Sequence, residues 1–335
     1  MDRRIITVFG GSGFVGRYIV KRLLEAGYTV RVPTRFFERT KKLKPMGYLG
    51  QMVPVHCDIK DADAIRRAVD GADAVINLVG ILYERGASSF MNMHVLAAKK
   101  IAEAAKSTGV KTFVHMSALG ANKNPHSQYA TSKLAGEKAV RSAFPEAVIF
   151  RPSVIFGPED NFLNKFASMS RFLPFIPVVG TPALPHVDLG KGSVDFFGKG
   201  GPKFQPAYVG DVADAFVKAV EDKHLAGETF ELGGPEKYSF LQLLEDIRAL
   251  TRQRVCLLPV PFWLASILAF FMQFLPTPPL TPDQVRLLKT DNVVSDDAKG
   301  FADLGIVPNC VETIAPAYLK RFRPPLKSGE FRRFS

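Results

Sequence analysis

Tyr129 and Lys133 stand four residues apart in the segment Tyr129-Ala-Thr-Ser-Lys133. On a helix that spacing puts a phenol and an ammonium on one face. Ser117 lies twelve residues upstream, after the apolar run Thr112 to Met116, which reads as a strand. A phenol near its ordinary pKa of about 10 is a poor acid–base group at neutral pH. A neighbouring ammonium favours the phenolate and lowers that value. Ser117 would hold a substrate carbonyl or hydroxyl, and Lys133 would also bond a cofactor ribose. Together the three suit hydride transfer coupled to proton transfer, with Ser117, Tyr129 and Lys133 as the catalytic set. A lone Tyr-x-x-x-Lys carries little weight, so the reading depends on what positions it.

Positioning starts at the N-terminus. Ile5 to Phe9 reads as a strand and runs into Gly10, Gly13 and Gly16, and Tyr18 to Glu25 follows as a helix. Gly10 suits the tight turn, Gly13 lets a pyrophosphate approach the main chain, and Gly16 lets helix and strand pack closely. Phe14 and Val15 lie between the last two glycines, where the helix start offers free N–H groups and a positive dipole end to phosphates. The second strand, Tyr28 to Pro33, is followed by Thr34-Arg35 with no acidic residue at its end. A carboxylate there would bond an adenosine ribose, whereas a guanidinium can grip a 2′-phosphate through parallel bonds. Arg35 therefore favours NADPH (NADP) over NAD, with Arg39 or Lys41 as helpers. Asp58 follows the third strand, Met52 to Cys57, in place to cap an adenine pocket. Asn77 and Gly80 close the fourth, Asp73 to Val79.

Strands alternating with helices at this spacing predict an α/β fold, a Rossmann-type doubly wound parallel sheet. Helices are expected over Asp61 to Asp70, Ser89 to Ser107 and Gln128 to Ala143, with later strands over Ala147 to Phe150 and Glu228 to Leu232. After Arg151 the chain becomes dense in proline and glycine. The expected division is 1–155 as the dinucleotide-binding domain, with return segments near 206–235. Residues 156–205 and 236–335 form a smaller, mainly helical domain.

These residues, together with Arg151-Pro152-Ser-Val154-Ile-Phe-Gly157, resemble an extended short-chain dehydrogenase/reductase over residues 4 to about 235. The resemblance implies a seven-stranded sheet, with Pro152 and Val154 backing the nicotinamide. It also admits an active NADP-dependent reductase, dehydrogenase or sugar-nucleotide epimerase. Phe9 stands where the family commonly has threonine, and His94 stands in place of the asparagine that organises the proton relay. These departures bear on turnover rather than on cofactor binding. A closer resemblance runs through Arg151 to Ala167, Leu280-Thr-Pro-Asp-Gln-Val-Arg-Leu-Leu288 and Asp291-Asn-Val-Val294. These segments are similar to the atypical branch that contains the nucleotide-binding accessory subunit of respiratory NADH:quinone oxidoreductase. That branch implies NADPH held without established turnover, and partners among the enzyme's subunits where its peripheral arm meets the membrane.

The chain of 335 residues is 47% hydrophobic and 23% charged, which suits globular domains rather than a disordered chain. Cys57, Cys256 and Cys310 show no metal-ligand grouping and read as free thiols of a reducing compartment. Because the first strand starts by residue 4, no signal peptide is expected; the expected location is a bacterial cytoplasm, peripheral to the inner membrane. The net charge of +12 is concentrated in 31–44 and in a tail holding Lys320, Arg321, Arg323, Lys327, Arg332 and Arg333. No nucleic-acid motif accompanies it, so an acidic partner or an anionic membrane surface ranks above nucleic acid. Val255 to Pro282 carries no charged residue, and 262–275 is apolar nearly all round. As a helix that stretch would span about 21 Å, short of a bilayer core of about 30 Å. It reads either as a buried helix of the small domain or as an interfacial, partner-docking helix.

Overall fold

The computed structural model describes residues 4–86, 88–188 and 193–325. Strand β1 (Ile5–Phe9) is apolar on both faces apart from Thr7, whose buried hydroxyl donates to the Ala68 carbonyl at 2.9 Å. That composition belongs to a strand covered on both sides. It joins β2 (Thr29–Thr34), β3 (Met52–His56), β4 (Ala74–Asn77), β5 (Thr112–Met116), β6 (Val148–Pro152) and β7 (Thr229–Leu232). All seven run parallel in the order 3-2-1-4-5-6-7. The order reverses between β1 and β4, and the crevice at that switch point is where ligands bind in open sheets of this kind.

Helices α1 (Phe14–Glu25) and α6 (Val209–Glu221) cover one face, where Ile19, Leu23, Val212 and Phe216 pack on Val8, Val30 and Phe150. The other face carries α2 (Ala62–Val69), α3 (Ala97–Ser107) and α4 (Gln128–Ala143), with Ile65, Ile101 and Val140 around Phe9, Val75 and Phe113. A further core gathers Phe156, Leu163, Phe204, Phe240, Leu243, Val260 and Tyr318. It is built from α5 (Leu163–Phe172), α7 (Phe240–Thr251), α8 (Phe262–Met272), α9 (Pro282–Leu287), α10 (Val311–Leu319) and short strand pairs. Phe301 and Leu304, expected in the smaller domain, pack instead into the α1–α6 core.

Two helices differ from expectation. The segment expected as one helix from Ser89 begins with a π-helical turn, Met91–Leu96, before α3. Such wide turns often mark functional sites. Here the turn sets the His94 carbonyl against α4, where a Cβ on Gly136 would stand 2.3 Å from it. The second is α8, which stops at Met272 and buries only Ala265 and Ala269. Trp263, Phe270 and Phe271 are 60%, 54% and 68% exposed, so it is not a buried helix. Its 11 residues span about 16 Å. No described helix is long and apolar enough to cross a membrane.

Gly136→Ala should therefore force α4 off the π turn and destabilise the protein by about 2 kcal/mol, the range of core overpacking. Thermal denaturation checks this, and an unchanged Tm would mean that the close approach does not exist in solution.

Candidate functional site

The glycines shape the turn after β1. Gly10 has φ +78°, a conformation costly for other residues. A Cβ on Gly16 would lie 2.3 Å from the Gly10 carbonyl oxygen, and one on Gly13 would lie 3.1 Å from it. Gly13 N-caps α1 with no side-chain bond, and the first turn holds no acidic residue. The Arg17 N–H is bonded back to the Gly13 carbonyl at 3.1 Å, so the N–H groups of Phe14, Val15 and Gly16 precede the helical ladder. Phe14 lies edge-on to Tyr18, and Val15 is buried in the core. The turn thus presents bare backbone and a positive helix end.

Across the crevice, Lys133 is buried and its ammonium donates to the Met116 carbonyl at 3.2 Å. Gly80 makes room for it: a Cβ there would stand 3.1 Å from Nζ and 3.6 Å from His94 Nε2. Burial pushes Lys133 down to about 8. Tyr129 sits one turn earlier, half-buried, with Phe90 and His94 edge-on at 5.9 and 5.5 Å. Burial pushes its phenol up to about 12, so the lowering expected from Lys133 is not what prevails; desolvation of the phenolate wins. Ser117 is 3% exposed, and its hydroxyl has no hydrogen-bond partner among the described residues. A buried hydroxyl without a partner is costly, and an oxygen-bearing ligand would relieve it.

His94 is fully engaged. Its Nε2 accepts the Ile81 N–H at 3.0 Å and its Nδ1 meets Ser132 Oγ at 2.8 Å; that hydroxyl in turn donates to the Tyr129 carbonyl at 2.7 Å. Burial, then the Lys133 charge, push it down to about 3. It is a neutral imidazole that ties the π turn to α4.

The remaining sequence candidates divide. Asn77 is wholly buried with both ends of its amide used, accepting the Val79 N–H at 3.1 Å and meeting His115 Nδ1 at 3.2 Å. These bonds shape the turn before Gly80. Asp58 uses Oδ1 to accept the Lys60 N–H at 3.0 Å, closing its own turn after β3. Arg35 is exposed, and Arg35 and Arg39 lie over the Phe36 ring at 5.7 and 5.4 Å. Lys41 instead pairs with Glu38. Pro152 ends β6 with its carbonyl accepting the Leu119 N–H at 2.9 Å, and the Val154 N–H donates to Asn292 Oδ1 at 3.1 Å.

Arg151, Asp283 and Asn292 lie in segments that carry the resemblance, but the sequence does not say which groups they bond. Arg151 grips Glu137 of α4 through two bonds of 2.9 and 2.6 Å, and also faces Glu231 of β7 at 3.7 Å. The pair holds Arg151 above its ordinary range. Asn292 accepts from Ser153 Oγ at 2.6 Å and joins the ends of β6 and the C-terminal segment. Asp283 of α9 caps α4. The expected basic tail is also partly engaged: Arg321 donates to Asn164 at 2.7 Å and Arg323 to the Leu250 carbonyl at 2.9 Å. Lys327, Arg332 and Arg333 lie outside the described residues.

With a bare glycine turn, a free helix start and a relay set at one switch point, the residues fit a dinucleotide. Residues 6–233 match the NAD dependent epimerase/dehydratase family. The chain belongs to that family. Mouse NADH dehydrogenase (ubiquinone) 1 alpha subcomplex subunit 9, mitochondrial, is 37% identical over 321 residues, covering 95% of this chain and 80% of the mouse protein. The Neurospora crassa NADH-ubiquinone oxidoreductase 40 kDa subunit is 34% identical over 319 residues, covering 95% and 79%. Among solved structures, a Citrobacter triphenylmethane reductase superposes with a TM-score of 0.72 at 16% identity, covering 94% of this chain and 99% of that one. That likeness concerns the fold alone. The extended short-chain dehydrogenase/reductase resemblance thus holds as family membership.

A nicotinamide dinucleotide, when bound, supplies a hydride donor or acceptor. The groups that would hold it are the α1 start for its phosphates and Lys133 Nζ for its ribose oxygens, with the Ser117 hydroxyl available to a substrate oxygen. Lys133 supplies the pH signature. Its value is near 8 in the folded chain against 10.5 ordinarily, so between those limits the unfolded chain binds more protons and stability from this group rises with pH. A ligand oxygen that accepts from Nζ raises the value again. NADPH binding near pH 8.5 should therefore take up a proton, seen as a buffer-dependent heat in calorimetry. Lys133→Met should abolish that uptake, and its persistence in the variant would remove Lys133 from the ribose site.

Proposed function

We propose that the chain is a dinucleotide-holding accessory subunit of a respiratory NADH:quinone oxidoreductase, docked where that enzyme's peripheral arm meets the membrane and holding its cofactor without ordinary turnover. The observation that carries the reading is α8. This helix fully buries only Ala265 and Ala269 and turns Trp263, Ile267, Phe270 and Phe271 outward. Exposed apolar surface of this kind marks a docking site. The mouse and Neurospora relatives, named as subunits of that enzyme and aligned along 95% of this chain, support the same assignment.

NADPH is the favoured cofactor. The β2 end offers Arg35 and Arg39 astride Phe36 and no carboxylate. Arg35→Ala should weaken NADPH binding about tenfold, the lower end of a charge-assisted bond. NADH binding should hardly change, and fluorescence titration of both cofactors separates the cases. Equal losses for the two would remove Arg35 from 2′-phosphate recognition.

A second reading, an active NADP-dependent reductase, is favoured by the unpartnered Ser117 hydroxyl beside an intact Tyr129 and Lys133. A carbonyl panel offered to the NADPH complex tests it: turnover that falls by about 10^2-fold or more in Tyr129→Phe would establish the enzyme.

Docking is tested by native electrophoresis of a mild-detergent membrane extract, with NADH:quinone oxidoreductase activity followed alongside. The protein should migrate with that activity at high mass. Replacing Trp263, Phe270 and Phe271 by serine should release it as a small species whose Tm is unchanged. Migration as a small, activity-free species by the unaltered protein would overturn the subunit reading.

A further inference from the structure

Helix α4 carries both Tyr129 and Lys133, yet its first turn contains no acidic residue. A helix start needs acceptors for its free N–H groups, and its dipole favours negative charge. Ser127 meets part of the need, accepting the Ala130 N–H at 3.2 Å. The rest comes from the distant α9. Asp283 Oδ1 accepts the Gln128 N–H at 2.8 Å, and Oδ2 accepts the Tyr129 N–H and the Ser127 hydroxyl, each at 2.9 Å. The carboxylate thus bonds the backbone of the residue that bears the phenol.

The contact is reinforced beside it. Asn124 donates from Nδ2 to the Arg286 carbonyl at 2.9 Å and to Thr290 Oγ1 at 3.2 Å. Helix α9 in turn packs on α8, the exposed apolar helix. One path of direct contacts therefore runs from the docking face through α9 and Asp283 to the helix that holds the ribose-facing ammonium.

We infer that Asp283 is a positioning residue that links dinucleotide binding at α1 and α4 to the ordering of the α8–α9 docking face. The inference deepens the reading under Proposed function and rests on it. A ligand held by Lys133 adds to the restraints that the fold already places on α4 and steadies its first turn further. That turn offers the Gln128 and Tyr129 N–H groups in register with the carboxylate, which holds α9 and, by packing, α8. The linkage is reciprocal: a partner seated on α8 tightens the dinucleotide by the same factor that the dinucleotide tightens the partner.

Hydrogen–deuterium exchange on the full chain, with and without saturating NADPH, tests it alongside NADPH fluorescence. In the unaltered protein NADPH should slow exchange over 10–17 and 128–133, and also over 262–287. Asp283→Ala should bind NADPH on the order of tenfold more weakly. At saturation it should keep the protection at 10–17 and lose that at 262–287. Asp283→Asn, which keeps one acceptor oxygen, should fall between, and it carries the comparison should the alanine variant not fold. Equal protection of 262–287 in variant and unaltered protein overturns the linkage, as does its absence in the unaltered protein while 10–17 is protected. Failure of the dinucleotide reading looks different: no fluorescence change and no protection at 10–17, which removes the linkage with it.

Discussion

Everything the site can do depends on where α4 lies, and the fold fixes that helix at three separated points. Near its middle, Gly136 admits the His94 carbonyl to a distance that no side chain would tolerate. One residue on, Glu137 is clamped in the plane of the Arg151 guanidinium, which projects from β6. At the start, Asp283 takes up the free N–H groups. Steric closeness, a buried ion pair and a helix cap differ in range and direction, so together they leave α4 little freedom to slide, tilt or rotate. A helix carrying reactive groups needs such over-determination, because small misplacements cost much in positioning.

The same arrangement explains the site's electrostatics. Lys133 lies in low dielectric with a carbonyl as its bonded partner, and His94 and His115 stand near it as neutral rings, both pushed down to about 3 by burial and then by the Lys133 charge. Glu137, which could offset the ammonium, is committed to Arg151. The crevice is therefore left with one weakly held positive charge and donors on the opposite wall at α1. An elongated ligand with phosphates at one end and hydroxyls at the other complements that distribution.

Much of this was legible in the sequence. Gly10, Gly13 and Gly16 lie beside one another in the chain as they do in space, and the three-residue rhythm between a strand and a helix states their use directly. Tyr129 and Lys133 are likewise local, and the bounds of α4 agree with expectation. What was not legible is non-local. The role of Asp283 depends on a helix start more than 150 residues earlier, and nothing in Leu280 to Leu288 says which surface the carboxylate meets. The π turn at Met91–Leu96 has no propensity signature; it follows from packing on Gly136. The intramolecular bonds of Asn77 were hidden for a related reason, since its partner His115 lies 38 residues further along the chain. The apolar stretch after Phe262 had two admissible readings, and only the packing of Ala265 and Ala269 against the domain decides which side faces out.

Asn292 has a bearing on how such a chain could have been assembled. Its side chain and backbone together meet Ser153, Val154, Leu119, Lys203 and Gln205, stitching the last strand ends of the sheet to a segment near the far end of the polypeptide. With Phe301 and Leu304 packed into the sheet's own core, the dinucleotide half is completed by residues that come after nearly all of the smaller half. The two halves are therefore not beads on a string that could be cut apart, exchanged or made one after the other. During synthesis the ribosome must release most of the chain before the sheet acquires its final cover.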